Sequence, residues 1–179
     1  LYRLIDVTLS TLDVDEILTT VVKEIQAIIK ADRCTLFLVD SDRKELYSKV
    51  IQTDNLVEIR IPLDYCSLAG YSAVTGNILN IMDAYNNEEL KSIDEKLCFD
   101  KKWDKKTGYR TKSIMVIPIK TKGSIVGVFQ AINKLGGFSD SDIELMKQLS
   151  FFLSIAVNNA FYHRAVEEER RLREFILII

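Results

Sequence analysis

The chain is poor in the residues that most often do chemistry. In 179 residues it has one histidine, His163, and three cysteines, Cys34, Cys66 and Cys98. An odd number of widely separated thiols with one imidazole makes neither a disulfide framework nor a zinc set. The three cysteines are therefore expected to be small buried residues in a reducing compartment. Charge of one sign is also missing: 24 Lys and Arg are interspersed with 26 Asp and Glu for a net charge of −2. No positive field draws such a chain to nucleic acid or to acidic lipid. No apolar run reaches the ~18 residues of a membrane span and no signal sequence opens the chain, so a soluble, cytoplasmic segment without membrane contact is expected. GxGxxG and GxxxxGK[ST] are absent, which argues against common dinucleotide and triphosphate sites.

What the chain does have is apolar bulk, 47% of its residues, enough for one domain with a true core and a helical extension. Leu1 opens inside a helix-like pattern and the text stops at "FILII", so a module of a longer polypeptide is expected. The boundaries read as the end of a linker helix over 1–12, a domain over 13–160 and the start of a coiled-coil linker to an absent output domain over 161–179.

Within the domain, Asp13 with Glu16 three positions on caps a helix with apolar residues at Ile17, Val21, Ile25 and Ile28 or Ile29. "RCTLFLVD", "ELYSKVI" and "EIRIPL" read as strands, the first two as a hairpin. A short helix follows between Ser67 and Gly76, then a brief extended piece at "NILNI". Residues 83–111 are polar and weakly periodic, a long excursion with one short helix around 88–96, and excursions of that length are often functional. "SIMVIPIK" and "SIVGVFQAINK" make a second hairpin, and Ser139 caps the last helix. The pattern is α+β, an antiparallel sheet with helices on its faces.

The last helix has neither proline nor glycine to Ile179, so it runs ~60 Å at ~1.5 Å per residue and outruns the domain. Leu149, Leu153, Ala156, Ala160 and His163 follow a 4-3-4-3 seam that resumes at Leu172, Ile176 and Ile179. Two readings fit: a core-packing helix with a solvated tail, or a parallel coiled coil joining two copies. The second is preferred, with a homodimer through the terminal helices as its consequence.

A catalytic constellation is hard to build, because His163 sits far along that helix without a nucleophile in reach. Pocket residues are easier to find. Gln130 shares an alternation with Val126, Val128 and Ile132, and an amide among apolar neighbours needs partners from backbone or from a ligand. "YCSLAG" enters a helix whose first turn carries small residues, so the N–H groups of Leu68 and Ala69 can seat a phosphate. In "DKKTGYRT", Asp104, Thr107 and Thr111 are spaced to share one side of a helical turn that Gly108 ends. A carboxylate there repels phosphate and suits purine N–H donors or nearby backbone.

"RCTLFLVD", "ELYSKV", "EIRIPL", "LAGYSAVTGNILNIMDAY", "DKKTGYRTKSIMVIPIK" and "GVFQAINKLGGFSDSD", in this order, resemble the GAF domains of cyclic-nucleotide phosphodiesterases and adenylyl cyclases. The resemblance covers about 13–159. It implies a six-stranded antiparallel sheet, helices on both faces, and a lidded pocket that in nucleotide-binding members takes cyclic AMP or cyclic GMP. It places Thr35 on the pocket's first strand, the backbone of Leu68 and Ala69 at the cyclic phosphate, Asp104, Thr107 and Thr111 in the lid, and Gln130 towards the base. Asn133, Lys134, Phe138 and Asp142 match the family's NKxnFx3DE signature, whose lysine and aspartate form a structural ion pair.

Two departures stand out. Where nucleotide-binding relatives often carry FDG, this chain has Ile51, Gln52 and Thr53, losing an aromatic platform worth ~1 kcal/mol and a carboxylate that favours cyclic GMP. The signature's final glutamate is Ile143. The expected function is a regulatory, non-enzymatic sensor with no required cofactor, binding cyclic AMP slightly better than cyclic GMP. The alternatives are a ligand-free dimerisation or interaction module and a sensor of another small molecule. Bilin attachment and methionine-sulfoxide reduction are disfavoured by the cysteine pattern.

Overall fold

A computed structural model describes residues 14–52 and 55–177. The cap at Asp13, the linker helix before it, Thr53 and Ile179 lie outside these residues, as do the side chains of Glu16, Ile17, Ile51 and Gln52.

Helix α1 (Val14–Ile29) leads through Lys30, whose φ of 55° turns the chain, into β1 (Arg33–Asp40). There follow β2 (Glu45–Gln52), β3 (Asn55–Pro62), α2 (Leu68–Thr75), β4 (Leu79–Ile81), α3 (Asn87–Ile93), α4 (Lys102–Thr107), β5 (Ile114–Thr121), β6 (Ser124–Ile132) and α5 (Asp140–Leu177). The strands form one six-stranded sheet in the order β3-β2-β1-β6-β5-β4, and every neighbouring pair is antiparallel. This is the α+β architecture that the strand and helix periods imply.

Alternation along the strands sends two apolar sets to opposite faces. Leu36, Leu38, Met115, Ile117, Phe129 and Ala131 pack under α1 and α5, against Val21, Ile25, Ile29, Leu149 and Leu153. Phe37, Leu46, Ile114, Val116 and Val128 face the other way, towards α2, α3 and the connecting loops. One residue breaks the expected alternation. Ile119 pairs with Gly127 and Lys120 with Ile125, leaving Val126 as a bulge, and Val126 packs on the α1/α5 side rather than beside Gln130. An extra residue in one strand reverses which face the next residue takes.

Helix α5 corrects the seam read from the sequence. Leu149, Leu153, Ala156 and Ala160 are buried against this chain's own sheet, so they are core and cannot also join two copies. His163 is exposed. The helix has a second apolar face: Phe151, Ile155, Tyr162, Leu172 and Ile176 are exposed. With Asn158, Ala165 and Glu169 filling the gaps, those positions form one unbroken 4-3 heptad register from 151 to 176. A periodic pattern in the sequence does not say which of two faces the sheet covers.

The excursion between β4 and β5 holds two short helices, α3 and α4, instead of one, and α3 ends at Ile93. Asn86 caps α3 by accepting the N–H groups of Glu88 and Glu89. Helix α4 escapes the apolar period because the residue it buries is a carboxylate, Asp104. The cysteines also depart from expectation: Cys34 is half-buried, and Cys66 and Cys98 are exposed. Only Cys34 lies in a strand; the others lie in the β3–α2 and α3–α4 connections, which the core does not cover.

Candidate functional site

On the face away from α5, Thr35 of β1 sits directly across from Gln130 of β6, and Gln130 sits across from Val116 of β5. Both polar side chains are half-buried, among Phe37, Val116, Val128 and Ile132. Among the described residues, neither the Thr35 hydroxyl nor the Gln130 carboxamide makes a hydrogen bond. A polar pair on an apolar floor carries unused donors and acceptors, which a ligand with both kinds of group can satisfy.

Above this floor α2 packs on β5 and β6. Ser67 is its N-cap and accepts the Gly70 N–H at 2.9 Å, while the Tyr71 N–H bonds the Ser67 carbonyl at 2.8 Å. The N–H groups of Leu68 and Ala69 are left without a protein acceptor, their side chains are buried, and no carboxylate occupies the first turn. Orphan N–H groups and the positive helix end together suit an anion. Gly70 is required there for space: a Cβ would lie 2.7 Å from the carbonyl oxygens of Pro62 and Asp64.

The lid residues arrange themselves differently from expectation. Asp104 is 7% exposed and its carboxylate accepts three hydrogen bonds, from the Thr111 N–H at 2.7 Å, the Thr111 hydroxyl at 2.7 Å and the Tyr85 hydroxyl at 3.0 Å. The structure thus brings Asp104 and Thr111 together, as a staple within the lid. Thr107 does not join them; it is exposed and donates to the Trp103 carbonyl at 2.8 Å. The reason is Gly108, whose φ of 68° ends α4 in the left-handed region. Thr111 lies beyond that stop and folds back, so helical spacing no longer relates it to Thr107.

Several contributors were missed in the sequence reading. Tyr85 is stacked by the Arg110 guanidinium at 3.5 Å and packs on Phe99; burial and its bond to Asp104 push its hydroxyl pKa up. The Tyr109 hydroxyl donates to Asp32 and accepts from Asn133 Nδ2 at 2.9 Å, with Arg33 over its ring at 3.6 Å. Burial, then the Asp32 carboxylate, raise its pKa to about 12. Asn133 further donates to the Arg110 carbonyl and accepts the Lys112 N–H. Tyr109 stands within the "TGYRT" motif, but no spacing connects it to Asp32.

Next to Asn133, Lys134 Nζ lies 2.6 Å from Asp142 Oδ1. Asp142 Oδ2 accepts the Ser139 N–H and hydroxyl. Burial opposes ionisation of Asp142, but the bonds from Lys134 and Ser139 outweigh it and hold the carboxyl below its usual range. The lid's end and the start of α5 are therefore tied to consecutive residues, Asn133 and Lys134.

A cleft of about 350 Å³ lies elsewhere, lined by Asp40, Tyr47, Glu58, Arg60 and Arg164. Arg60 is already held there by Asp40, Glu45 and Glu58, so little charge is left for a ligand. Among the described residues no cluster could hold a metal ion, and no helix is long and apolar enough to cross a membrane.

A family model described as "GAF domain" matches residues 13–157. The chain belongs to the GAF domain family. It is 31% identical over 173 residues to a probable 3',5'-cyclic phosphodiesterase, pde-5, of Caenorhabditis elegans, covering 89% of this chain and 22% of that protein. It is 34% identical over 157 residues to the dual 3',5'-cyclic-AMP and -GMP phosphodiesterase 11A of Takifugu rubripes, covering 79% of this chain and 16% of that one. This GAF domain therefore spans less than a quarter of those relatives' length. Among solved structures it resembles the GAF domain of a phosphoenolpyruvate-protein phosphotransferase from Coxiella burnetii, with a TM-score of 0.72, 16% identity and coverage of 92% of this chain and 94% of that one. It also resembles residues 122 to 287 of a methyl-accepting chemotaxis protein, with a TM-score of 0.70, 21% identity and coverage of 90% and 97%. At these identities the structures speak for the fold alone.

Proposed function

We propose that this GAF domain is a regulatory sensor, without catalytic activity of its own, that binds a cyclic nucleotide between the leading end of α2 and the sheet. The observation that carries the reading is the pairing of unused groups: the N–H groups of Leu68 and Ala69 for a phosphate, and the adjacent Thr35 and Gln130 side chains for polar edges of the nucleotide. Relatives named as cyclic-nucleotide phosphodiesterases support the ligand class. Cyclic AMP is favoured over cyclic GMP because Gln52 stands where nucleotide-binding relatives often carry a carboxylate.

In this reading Asp104 and Thr111 stabilise the lid instead of touching the ligand, and Thr107 acts at the lid's outer surface. Ligand that orders the lid is felt at α5 because Asn133 bonds residues 109, 110 and 112 while its neighbour Lys134 bonds Asp142 in the first turn of α5. Such contact transmits a signal only if ligand prefers one of two arrangements. Residues 161–179 would then lead to an output domain, as residues 1–12 would lead in, in a cytoplasmic setting.

Isothermal titration of the purified domain with each nucleotide tests the reading. Saturable heat with either supports it; no heat and no thermal shift at millimolar nucleotide overturns it.

A second reading, a ligand-free dimerisation module, is favoured by the exposed heptad register of α5. In a parallel pair of such helices Glu168 meets Arg173 of the partner subunit and Phe161 meets Val166 of the partner subunit, both complementary. Glu169 would oppose its own copy at the seam, although Arg173 of the same helix already neutralises it. Sedimentation of Leu172→Glu together with Ile176→Glu separates the readings: monomers that still bind nucleotide leave only the sensor.

A further inference from the structure

The two exposed cysteines are far apart in sequence and meet in space. Cys66 lies immediately before the N-cap of α2, and its N–H is held by Asp64 Oδ1 at 2.9 Å. Cys98 lies in the lid, beside Leu97, which is 3% exposed. The Cys98 thiol lies close enough to the Cys66 thiol for the two to interact. Two other observations bring the same segments together: the Lys96 ammonium sits 5.4 Å from the centre of the Tyr65 ring, and Leu97 and Tyr65 belong to one apolar cluster. The segments 64–67 and 96–98 thus lie near each other, with both cysteines exposed at the surface.

We propose that Cys66 and Cys98 are a redox pair whose oxidation to an intramolecular disulfide staples the lid to the leading end of α2. With hydrogen peroxide as oxidant, the Cys66 sulfur attacks one peroxide oxygen, the O–O bond breaks, and one water leaves as Cys66 becomes a sulfenic acid. The Cys98 sulfur then attacks the Cys66 sulfur, the S–O bond breaks, and a second water leaves. Two thiols and one peroxide become one disulfide and two waters. Cys98 suits the resolving role, because burial, its interaction with Cys66 and the carboxylates of Asp64 and Asp100 all favour its protonated form. Cys34 serves as an internal control: burial in β1 pushes its thiol up to about 12.

The staple would act on whichever ligand the domain takes, because it joins the segment that carries the free N–H groups of Leu68 and Ala69 to the segment that covers them. It goes beyond the nucleotide reading and needs no nucleotide to be tested. The full chain, free of nucleotide, is treated with stoichiometric peroxide, and its peptides are mapped without reduction. One linked pair joining Cys66 to Cys98 is expected, with Cys34 alkylated only after unfolding. Hydrogen exchange over residues 94–111 should slow, the thermal midpoint should rise by about 5 °C or more, and dithiothreitol should reverse both. Cys66→Ser and Cys98→Ser, at exposed positions that tolerate the change, should each abolish the link and the shift. Separate oxidation of the two cysteines to sulfinic acids, or disulfides only between chains, would overturn the proposal.

Discussion

The two faces of one sheet both bury apolar side chains, but only one of them mixes in polar groups. On the α1/α5 side, strand residues such as Phe129 and Met115, both fully buried, meet helix residues of the same kind, and burial of apolar area does the stabilising. On the lid side, the same strands present Thr35 and Gln130 beside apolar residues, and the cover of short helices and loops is also joined by polar bonds: Asp104 to Thr111 and Tyr85, Tyr109 to Asp32, Asn133 to three lid groups. Phe129 and Gln130 are neighbours in β6 and belong to different regimes. The first face is apolar throughout; the second has its own apolar cluster, with Leu90 and Leu97 of the cover buried in it, and adds polar groups without protein partners and a cover tied by polar bonds.

Substitutions should expose this contrast. Phe129→Ala, which empties the tightly packed face, should cost about 3–5 kcal/mol in urea unfolding; a loss below ~1 kcal/mol would mean that this face is not the stabilising one. Lys134→Met strands the Asp142 carboxylate between the two regions and should cost about 2–3 kcal/mol. The pH profile checks the same pair. Because the folded Asp142 carboxyl is held low, its stabilisation is present above its unfolded value near ~4 and lost as pH falls through the folded value. In Lys134→Met that acid loss should begin at higher pH.

Within the lid, Asp104→Ala removes the acceptor of three bonds and should cost about 2 kcal/mol, with faster proteolysis between residues 94 and 111. Thr107→Ala, only three positions away, should stay within ~0.5 kcal/mol. Equal effects would mean that Asp104 is not a staple. Gln130→Leu should change stability by no more than about 1 kcal/mol, and in that variant the loss should appear in nucleotide affinity, by ~10-fold. A stable variant with unchanged affinity would remove Gln130 from the site.

Legibility followed the same division. The strands, the sheet's antiparallel character, the Ser67 and Gly76 ends of α2 and the Ser139 cap of α5 were readable because each depends on residues a few positions apart. Val126 was assigned to the wrong face because a bulge changes parity without a signature in composition. Leu149, Leu153, Ala156 and Ala160 were assigned to a partner because two apolar faces on one helix look alike until the sheet covers one of them. Asp104 and Thr107 looked equivalent by spacing, and the turn at Gly108 separated them. The cysteines were read as buried because their type usually is, while Cys66 and Cys98 lie in connections above the core.

By itself the sequence determined the α+β sheet, the family resemblance, and a lid that begins and ends where its polar stretch does, because hydrophobic period and capping act over one or two turns of chain. Only the tertiary structure decided which face of α5 is free, that Asp104 is consumed by Thr111 and Tyr85, and that Thr35 lies across from Gln130. It also decided that Cys66 and Cys98 come near each other. Each of these depends on residues brought together by packing across the sheet or the lid, and no local period records such distances.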